Sequence, residues 1–111
     1  MIDYIKKLPH VFDQPAYMYG WPEGWDELVN KLIKDVLAVA PNEFKVLQIK
    51  EKFAGLRFYY SNGNESVRKL VDIAESKSMT ICQNCGSEGR ASSHKGWMVT
   101  LCEECDQSPP N

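Results

Sequence analysis

The spacing of the cysteines constrains this chain more than any other feature of its sequence. All four lie near the C-terminus, in the stretch CQNCGSEGRASSHKGWMVTLCEEC, as two C-x-x-C pairs separated by sixteen residues. Two residues between thiols let both sulfurs of a pair reach one tetrahedral ion, and this gap is typical of zinc ribbons and treble clefs. We therefore predict one structural zinc ion per chain, with the ligands Cys82, Cys85, Cys102 and Cys105.

Other uses of the same thiols remain open at this point. They are two disulfides, an iron site of rubredoxin type and a redox dithiol. A thioredoxin-like redox pair would need a surrounding βαβ pattern, which the sequence does not show. Four thiolates fill a tetrahedral shell and leave no position for substrate, so we expect the metal to be structural. His94 lies between the pairs and could replace a cysteine, but we expect it at the tip of a hairpin.

The residues around the cysteines indicate how the site is built. Gly86 follows the first pair and frees the backbone to turn its amides towards the thiolates, as in zinc knuckles. Residues 97–101 resemble a strand that would complete a hairpin. Glu103 and Glu104 suit the first turn of a helix, where the helix dipole favours anions. This asymmetry favours a treble-clef-like end over a zinc ribbon, although both stay possible.

Composition places the chain among soluble globular proteins. It has 111 residues, of which 43% are apolar and 25% charged. The first ten residues lack the apolar run of a signal peptide, and no stretch reaches the length of a membrane-spanning helix. We expect a cytoplasmic protein without membrane partners, in a compartment where disulfides rarely persist.

Two amphipathic helices are predicted before the cysteines, together with a short one within residues 1–8. The helix at about 25–39 has Asp26 in its first turn and is followed by Pro41. Its continuous apolar stripe consists of Trp25, Leu28, Val29, Leu32, Ile33, Val36 and Leu37. The helix at about 65–78 begins after Asn64 as N-cap, and its apolar stripe starts at Val67.

Residues 44–60 are predicted to form a β-hairpin between those helices. They are rich in β-branched and aromatic side chains, and the FAG at 53–55 supplies a turn in which Gly55 takes a positive φ. Strict alternation would place Leu47, Ile49 and Phe53 on one face and Val46 on the other.

These elements together predict an α+β fold. We expect a helix–hairpin–helix core over residues 1–79, a four-cysteine zinc module over 80–106 (hereafter the cysteine module) and a flexible tail over 107–111. The aromatic-rich segment 9–24 is punctuated by proline and glycine, and it could pack on the core or form an interface.

Charge and composition favour a binding protein over an enzyme. The net charge is −2, and the cysteine module carries two basic against four acidic side chains. No G-x-S-x-G, glycine-rich phosphate loop or H-E-x-x-H occurs, so we expect no enzymatic activity and no small-molecule substrate.

Residues 42–60 carry four basic against two acidic side chains, with aromatics between them. Such a surface can bind single-stranded nucleic acid, but the same pattern also describes the solvated face of a half-buried sheet. Protein binding is the first interpretation and sequence-tolerant nucleic-acid binding the second. The expected surface residues are Lys50, Lys52, Arg57, Tyr59, Arg90, His94, Lys95 and Trp97.

Several motifs resemble those of a family of small, mostly uncharacterised zinc-binding proteins of tailed phages, prophages and bacteria. They are GWDELV, QIKEKFAGLRFYY, IAES, CQNCGSEGR and GWMVTLCEEC, and they span about residues 20–105. Ala54 stands where the family pattern has glycine, and Cys105 where many members have histidine. The resemblance implies zinc ligation by the four cysteines but no established activity. A phage setting suggests an accessory protein that inhibits a host defence complex by direct binding.

Overall fold

The computed structural model describes residues 3–107 of the chain. Within them it has helices and two separate antiparallel hairpins, which confirms the predicted α+β fold with a zinc-ribbon-like C-terminal module. The elements are α1 (Tyr4–Lys7), 3-10 turns at Ala16–Met18 and Glu23–Trp25, α2 (Asp26–Val39), β1 (Lys45–Lys52), β2 (Gly55–Ser61), α3 (Glu65–Ser78), β3 (Arg90–His94), β4 (Trp97–Leu101) and α4 (Glu103–Gln107). The predicted tail begins at the last residue of α4, and its residues 108–111 lie outside the described residues.

Helix α2 follows the predicted apolar stripe, but it starts one residue later than expected. Trp25 ends a 3-10 turn, and it is fully buried beside the helix. The stripe residues buried within the helix are Val29, Leu32, Ile33 and Val36. Burial of an apolar side chain of this size contributes about 1.5–3 kcal/mol, so this face stabilises the core.

Helix α3 has the predicted bounds and the predicted cap. The side-chain oxygen of Asn64 accepts a hydrogen bond from the Val67 amide (2.9 Å), and its side-chain nitrogen donates to the Val39 carbonyl (2.8 Å) at the end of α2. The Asn64 side chain therefore caps α3 and joins α3 to α2, the helix against which α3 packs.

The predicted faces of β1 are wrong because the strand contains a β-bulge. Its register with β2 pairs Val46 with Tyr60 and then Gln48 with Tyr59, so Leu47 is the extra residue. The bulge reverses the alternation, and Val46 and Ile49 are both buried. Phe53, expected on the face of Ile49, is 69% exposed.

The turn of this hairpin also differs from the prediction. Phe53 and Ala54 hold the positive φ values, 51° and 70°, while Gly55 is the first residue of β2. Two successive left-handed residues define the tight turn that best matches strand twist. The second hairpin has the same turn, with Lys95 at 53° and Gly96 at 84°.

Both outer edges of the first hairpin are partly covered. On the β2 edge, the amides of Leu56 and Phe58 donate to the side chains of Ser78 (2.8 Å) and Glu75 (2.9 Å) on α3. On the β1 edge, the Gly20 amide donates to the carbonyl of Ile49 (2.9 Å). These contacts satisfy backbone groups that would otherwise be open to strand addition.

The aromatic segment 9–24 divides between core and surface. Phe12 and Tyr19 are buried and pack edge to face, and the Tyr19 hydroxyl donates to the Val46 carbonyl (2.8 Å). Tyr17 is 85% exposed. Within residues 3–107, no helix is long and apolar enough to cross a membrane.

Candidate metal centre

The four cysteines converge on one point. Their sulfur atoms all lie within 4.8 Å of one another, and none of the four forms a disulfide. The Sγ atoms of Cys85 and Cys102 are 3.6 Å apart. A tetrahedral ion with metal–sulfur bonds of about 2.3 Å would set its sulfurs about 3.8 Å apart, so these distances fit a four-thiolate metal site.

The first cysteine pair lies in a tight loop shaped like a zinc knuckle. The Cys82 amide donates to the Ser87 carbonyl (2.7 Å), and the Gly86 amide donates back to the Cys82 carbonyl (3.0 Å). Gly86 has φ +85°, a conformation that favours glycine and agrees with the role predicted for it.

The second pair brackets the start of α4. Cys102 immediately precedes the helix, and its sulfur accepts a hydrogen bond from the Cys105 amide (3.4 Å). Its carbonyl accepts from the Asp106 amide (2.9 Å). Glu103 and Glu104 occupy the first turn as predicted.

The pKa values of the Cys82 and Cys105 thiols are shifted in opposite directions. Burial raises the pKa of Cys82, but hydrogen bonds from the backbone amides of Cys102, Cys85 and Asn84 outweigh it and lower that pKa to about 6. The Asn84 side chain favours the thiolate of Cys105. The other three sulfurs and burial disfavour that thiolate, and together they raise the pKa of Cys105 to about 12. A divalent cation among the four sulfurs would favour the thiolate form of all four.

The loop of the first cysteine pair, residues 82–86, is docked against the core through a glycine. The Gly24 amide donates to the Gln83 carbonyl (2.8 Å), and the Trp25 indole donates to the Ile81 carbonyl (2.9 Å). A Cβ on Gly24 would overlap the Cys82 carbonyl oxygen and lie 2.7 Å from the Gln83 carbonyl carbon. The sequence pattern did not predict this contact, although the Gly24–Trp25 pair that makes it is visible in the sequence.

A second contact joins the other end of the cysteine module to the first hairpin. Thr100 is fully buried, and its hydroxyl donates to the carbonyl of Ala54 (2.8 Å). Ala54 is 1% exposed, and its amide donates to the Glu51 carboxylate (2.9 Å). The turn of the first hairpin is therefore held against strand β4.

His94 is turned away from the cysteine cluster and towards α4. Its Nε2 lies 2.6 Å from Asp106 Oδ1, which also accepts from the Ser92 hydroxyl (2.7 Å). The Ser92 hydrogen bond, with that of His94, lowers the pKa of Asp106. His94 is absent from the ligand cluster, and it fixes the end of β3 against the helix that carries Cys105.

The predicted surface residues lie in separate places, on the first hairpin and at the two ends of the second. Lys50, Lys52, Arg57 and Tyr59 share the outer face of the first hairpin, where the Lys50 ammonium lies 5.9 Å from the centre of the Tyr59 ring. Trp97 and Lys95 lie at the tip of the second hairpin. Arg90 pairs with Leu101 at the opposite end of that hairpin, so the structure does not bring it to the same surface.

A groove of about 450 Å³ runs between the two hairpin turns, and we call it the tip groove. Its lining residues are Glu51, Lys52, Phe53, Gly96, Trp97 and Met98. Trp97 is 76% exposed, Phe53 69% and Met98 41%. Trp97 and Lys52 were predicted as surface residues. Phe53 and Met98 were not, because alternation assigned Phe53 to the same face as Ile49.

Comparisons of the chain with protein-family models, with curated proteins and with solved structures find no match.

Proposed function

We propose that this chain is a small zinc-stabilised protein-binding module. The observation that carries the proposal is Trp97, a large side chain exposed at the tip of a hairpin whose base is held by the cysteine cluster. Tryptophan and methionine are enriched in protein interfaces, and exposed aromatic anchors supply most of the binding energy in many of them.

Zinc is the ion that this site fits best. Four thiolates in tetrahedral arrangement suit zinc or iron, and the C-x-x-C pairs at this separation are typical of structural zinc. The order of a knuckle, a hairpin and a short helix fits a treble clef. All four positions of the ion are taken by the chain, so zinc supplies folding energy here and no chemistry on a substrate.

The biological setting is proposed from the family resemblance. The KEKFAGLRFYY hairpin and the cysteine ending resemble small phage and bacterial proteins, and this favours an accessory protein in the cytoplasm of a host cell. Inhibition of a host defence complex by direct binding needs only a rigid contact surface. No catalytic role is assigned to this chain.

Nucleic-acid binding is the second candidate function, and one observation favours it. Lys50, Lys52 and Arg57 lie on one face of the first hairpin with Tyr59, an arrangement that can hold phosphates and stack bases. Binding of this kind weakens steeply as salt rises, because counterions are released from the phosphates. The net charge of −2 opposes it.

Capture from a bacterial lysate, run in parallel with and without nuclease treatment, tests the first function against the second. We expect immobilised zinc-loaded chain to retain a defined protein, and Trp97→Ala to lose it. Tyr17→Ala is the matched control, because Tyr17 is 85% exposed and does not line the tip groove. Retention of nucleic acid alone, abolished by nuclease, would contradict protein binding and support the alternative.

A further inference from the structure

The tip groove combines three properties that call for a specific occupant. Its floor is apolar, its rim is cationic, and one of its aromatic side chains is held in a conformation that costs free energy. The inference drawn from them rests on the proposed protein-binding function and extends it to the chemistry of the partner.

The apolar floor is assembled from two hairpins that are distant in sequence. Phe53 comes from the first turn, and Trp97 and Met98 follow the second. The hydrogen bond from Thr100 to Ala54 holds the first turn against β4, the strand that carries Trp97 and Met98. The groove is therefore a preformed site, which lowers the entropic cost of binding.

Phe53 holds a backbone conformation that costs free energy. It is a bulky side chain at φ 51°, a backbone region that costs a residue other than glycine about 1–2 kcal/mol. It is also 69% exposed, so little burial within the chain offsets that cost. A strained and exposed aromatic is a candidate for contact with a partner.

The rim of the groove is positively charged. Lys52 lines it, Lys50 and Arg57 lie opposite each other on the same outer face, and Lys95 precedes Gly96 of the lining. Arg57 extends towards the turn, since its Nη1 lies 3.7 Å from the position that a Cβ on Gly55 would take.

These positive charges outnumber the negative charge at the groove. None of the four cations forms an ion pair in the part of the chain that the structure describes. The acid among the described lining residues, Glu51, accepts the hydrogen bond of the Ala54 amide, and its single negative charge leaves an excess of positive charge. Charges that remain unpaired around an apolar floor favour a partner of opposite sign.

We propose that the tip groove binds an acidic segment of a protein partner, with one aromatic or aliphatic side chain inserted between Phe53 and Trp97. Carboxylates flanking that side chain would contact Lys52 and the neighbouring cations. A floor that includes Met98 is better suited to an aliphatic or aromatic side chain than to the regular stacking of bases. This comparison makes a protein the favoured occupant and single-stranded nucleic acid an outcome of the test.

The test is selection of random peptides displayed on a surface against the full zinc-loaded chain. We expect the selected peptides to carry several Asp or Glu residues around one aromatic or aliphatic residue. Their affinity should fall at least about tenfold with Trp97→Ala, a loss typical of interface hot spots. Lys52→Glu should weaken them similarly, and Tyr17→Ala and Lys34→Glu serve as matched controls on other surfaces. Metal content and circular dichroism of each variant establish that it is folded.

The outcomes separate this inference from the proposed function. Selected peptides whose binding ignores Trp97→Ala and Lys52→Glu, or that are neutral or basic, would overturn the tip groove as the site while leaving protein binding intact. Failure to select any peptide, combined with salt-sensitive and Trp97-dependent binding of an oligothymidine probe, would overturn both.

Discussion

The hydroxyl of Thr100 donates a 2.8 Å hydrogen bond to the carbonyl oxygen of Ala54, and both residues are buried. This bond joins the strand that leads into the second cysteine pair to the turn that carries Phe53. Through it, the metal site and the tip groove become parts of one rigid arrangement. A second contact, between Gly24 and the loop of the first cysteine pair, docks the cysteine module against the core.

Replacing Thr100 by valine removes the hydroxyl with little change of shape. The Ala54 carbonyl is then left buried without this partner, and such a loss costs about 1–3 kcal/mol. We expect a decrease of that size in the free energy of unfolding of the zinc-loaded chain, measured by urea denaturation. Thr80→Val is the control, because the Thr80 hydroxyl is exposed and donates to the Lys77 carbonyl of its own turn. Equal effects of the two substitutions would contradict the docking role of Thr100.

Gly24→Ala tests the close approach of the core to the loop of the first cysteine pair. The added methyl would overlap the Cys82 carbonyl oxygen, so the backbones must separate and Trp25 must lose its bond to Ile81. Overpacking of this kind costs about 1–3 kcal/mol, and we expect weaker zinc retention in competition with a chelator.

Gly20→Ala is the matched control for that experiment. No atom lies within 4 Å of a Cβ built there, so the same chemical change should leave zinc retention unchanged. If Gly24→Ala retained zinc as well as Gly20→Ala, the contact would have no role in supporting the site.

Phe53→Asn should separate stability from binding. Asparagine tolerates the left-handed backbone conformation better than phenylalanine, and it is favoured at the first central position of this turn. Because Phe53 is exposed, little packing is lost, and we expect the chain to become more stable by about 1 kcal/mol. Thermal unfolding measures the gain, and binding of selected peptides should fall. A loss of stability would show that Phe53 serves the fold instead.

The ion pair between Lys45 and Asp13 predicts a pH-dependent contact between the segment before α2 and strand β1. Hydrogen bonds from Lys45 and then from Gln14 hold the pKa of Asp13 below its usual value of 3.8. Since the folded-state pKa is the lower one, the contact stabilises the fold above the unfolded pKa. That contribution is lost as pH falls through the folded pKa. Carboxyl NMR titration should show a pKa for Asp13 below 3.8, and Lys45→Met should raise that pKa. No change on substitution would contradict the pair.

The sequence was most informative where local pattern decides the structure. Helix α3 has its predicted bounds because Asn64 caps it and its apolar residues recur with helical period over 14 residues. The convergence of the four cysteines was equally readable, since two short C-x-x-C pairs specify which sulfurs can meet whatever lies between them.

Prediction failed where one extra residue or a distant contact determines the outcome. The bulge at Leu47 reverses the faces of β1, and alternation alone cannot reveal it. The turn at Phe53 and Ala54 takes a conformation that its sequence disfavours, stabilised by Glu51 and Thr100. The need for glycine at position 24 comes from Cys82, which is far away along the chain.

The central claim, that a zinc ion holds the four cysteines and so fixes the hairpin that carries Trp97, is tested most directly by native mass spectrometry of the freshly purified chain. We predict the mass of the chain with four reduced cysteines and one bound zinc ion, and loss of folded charge states when a chelator removes the ion. A folded chain that carries no metal, or whose mass shows cysteines joined as disulfides, would contradict the claim.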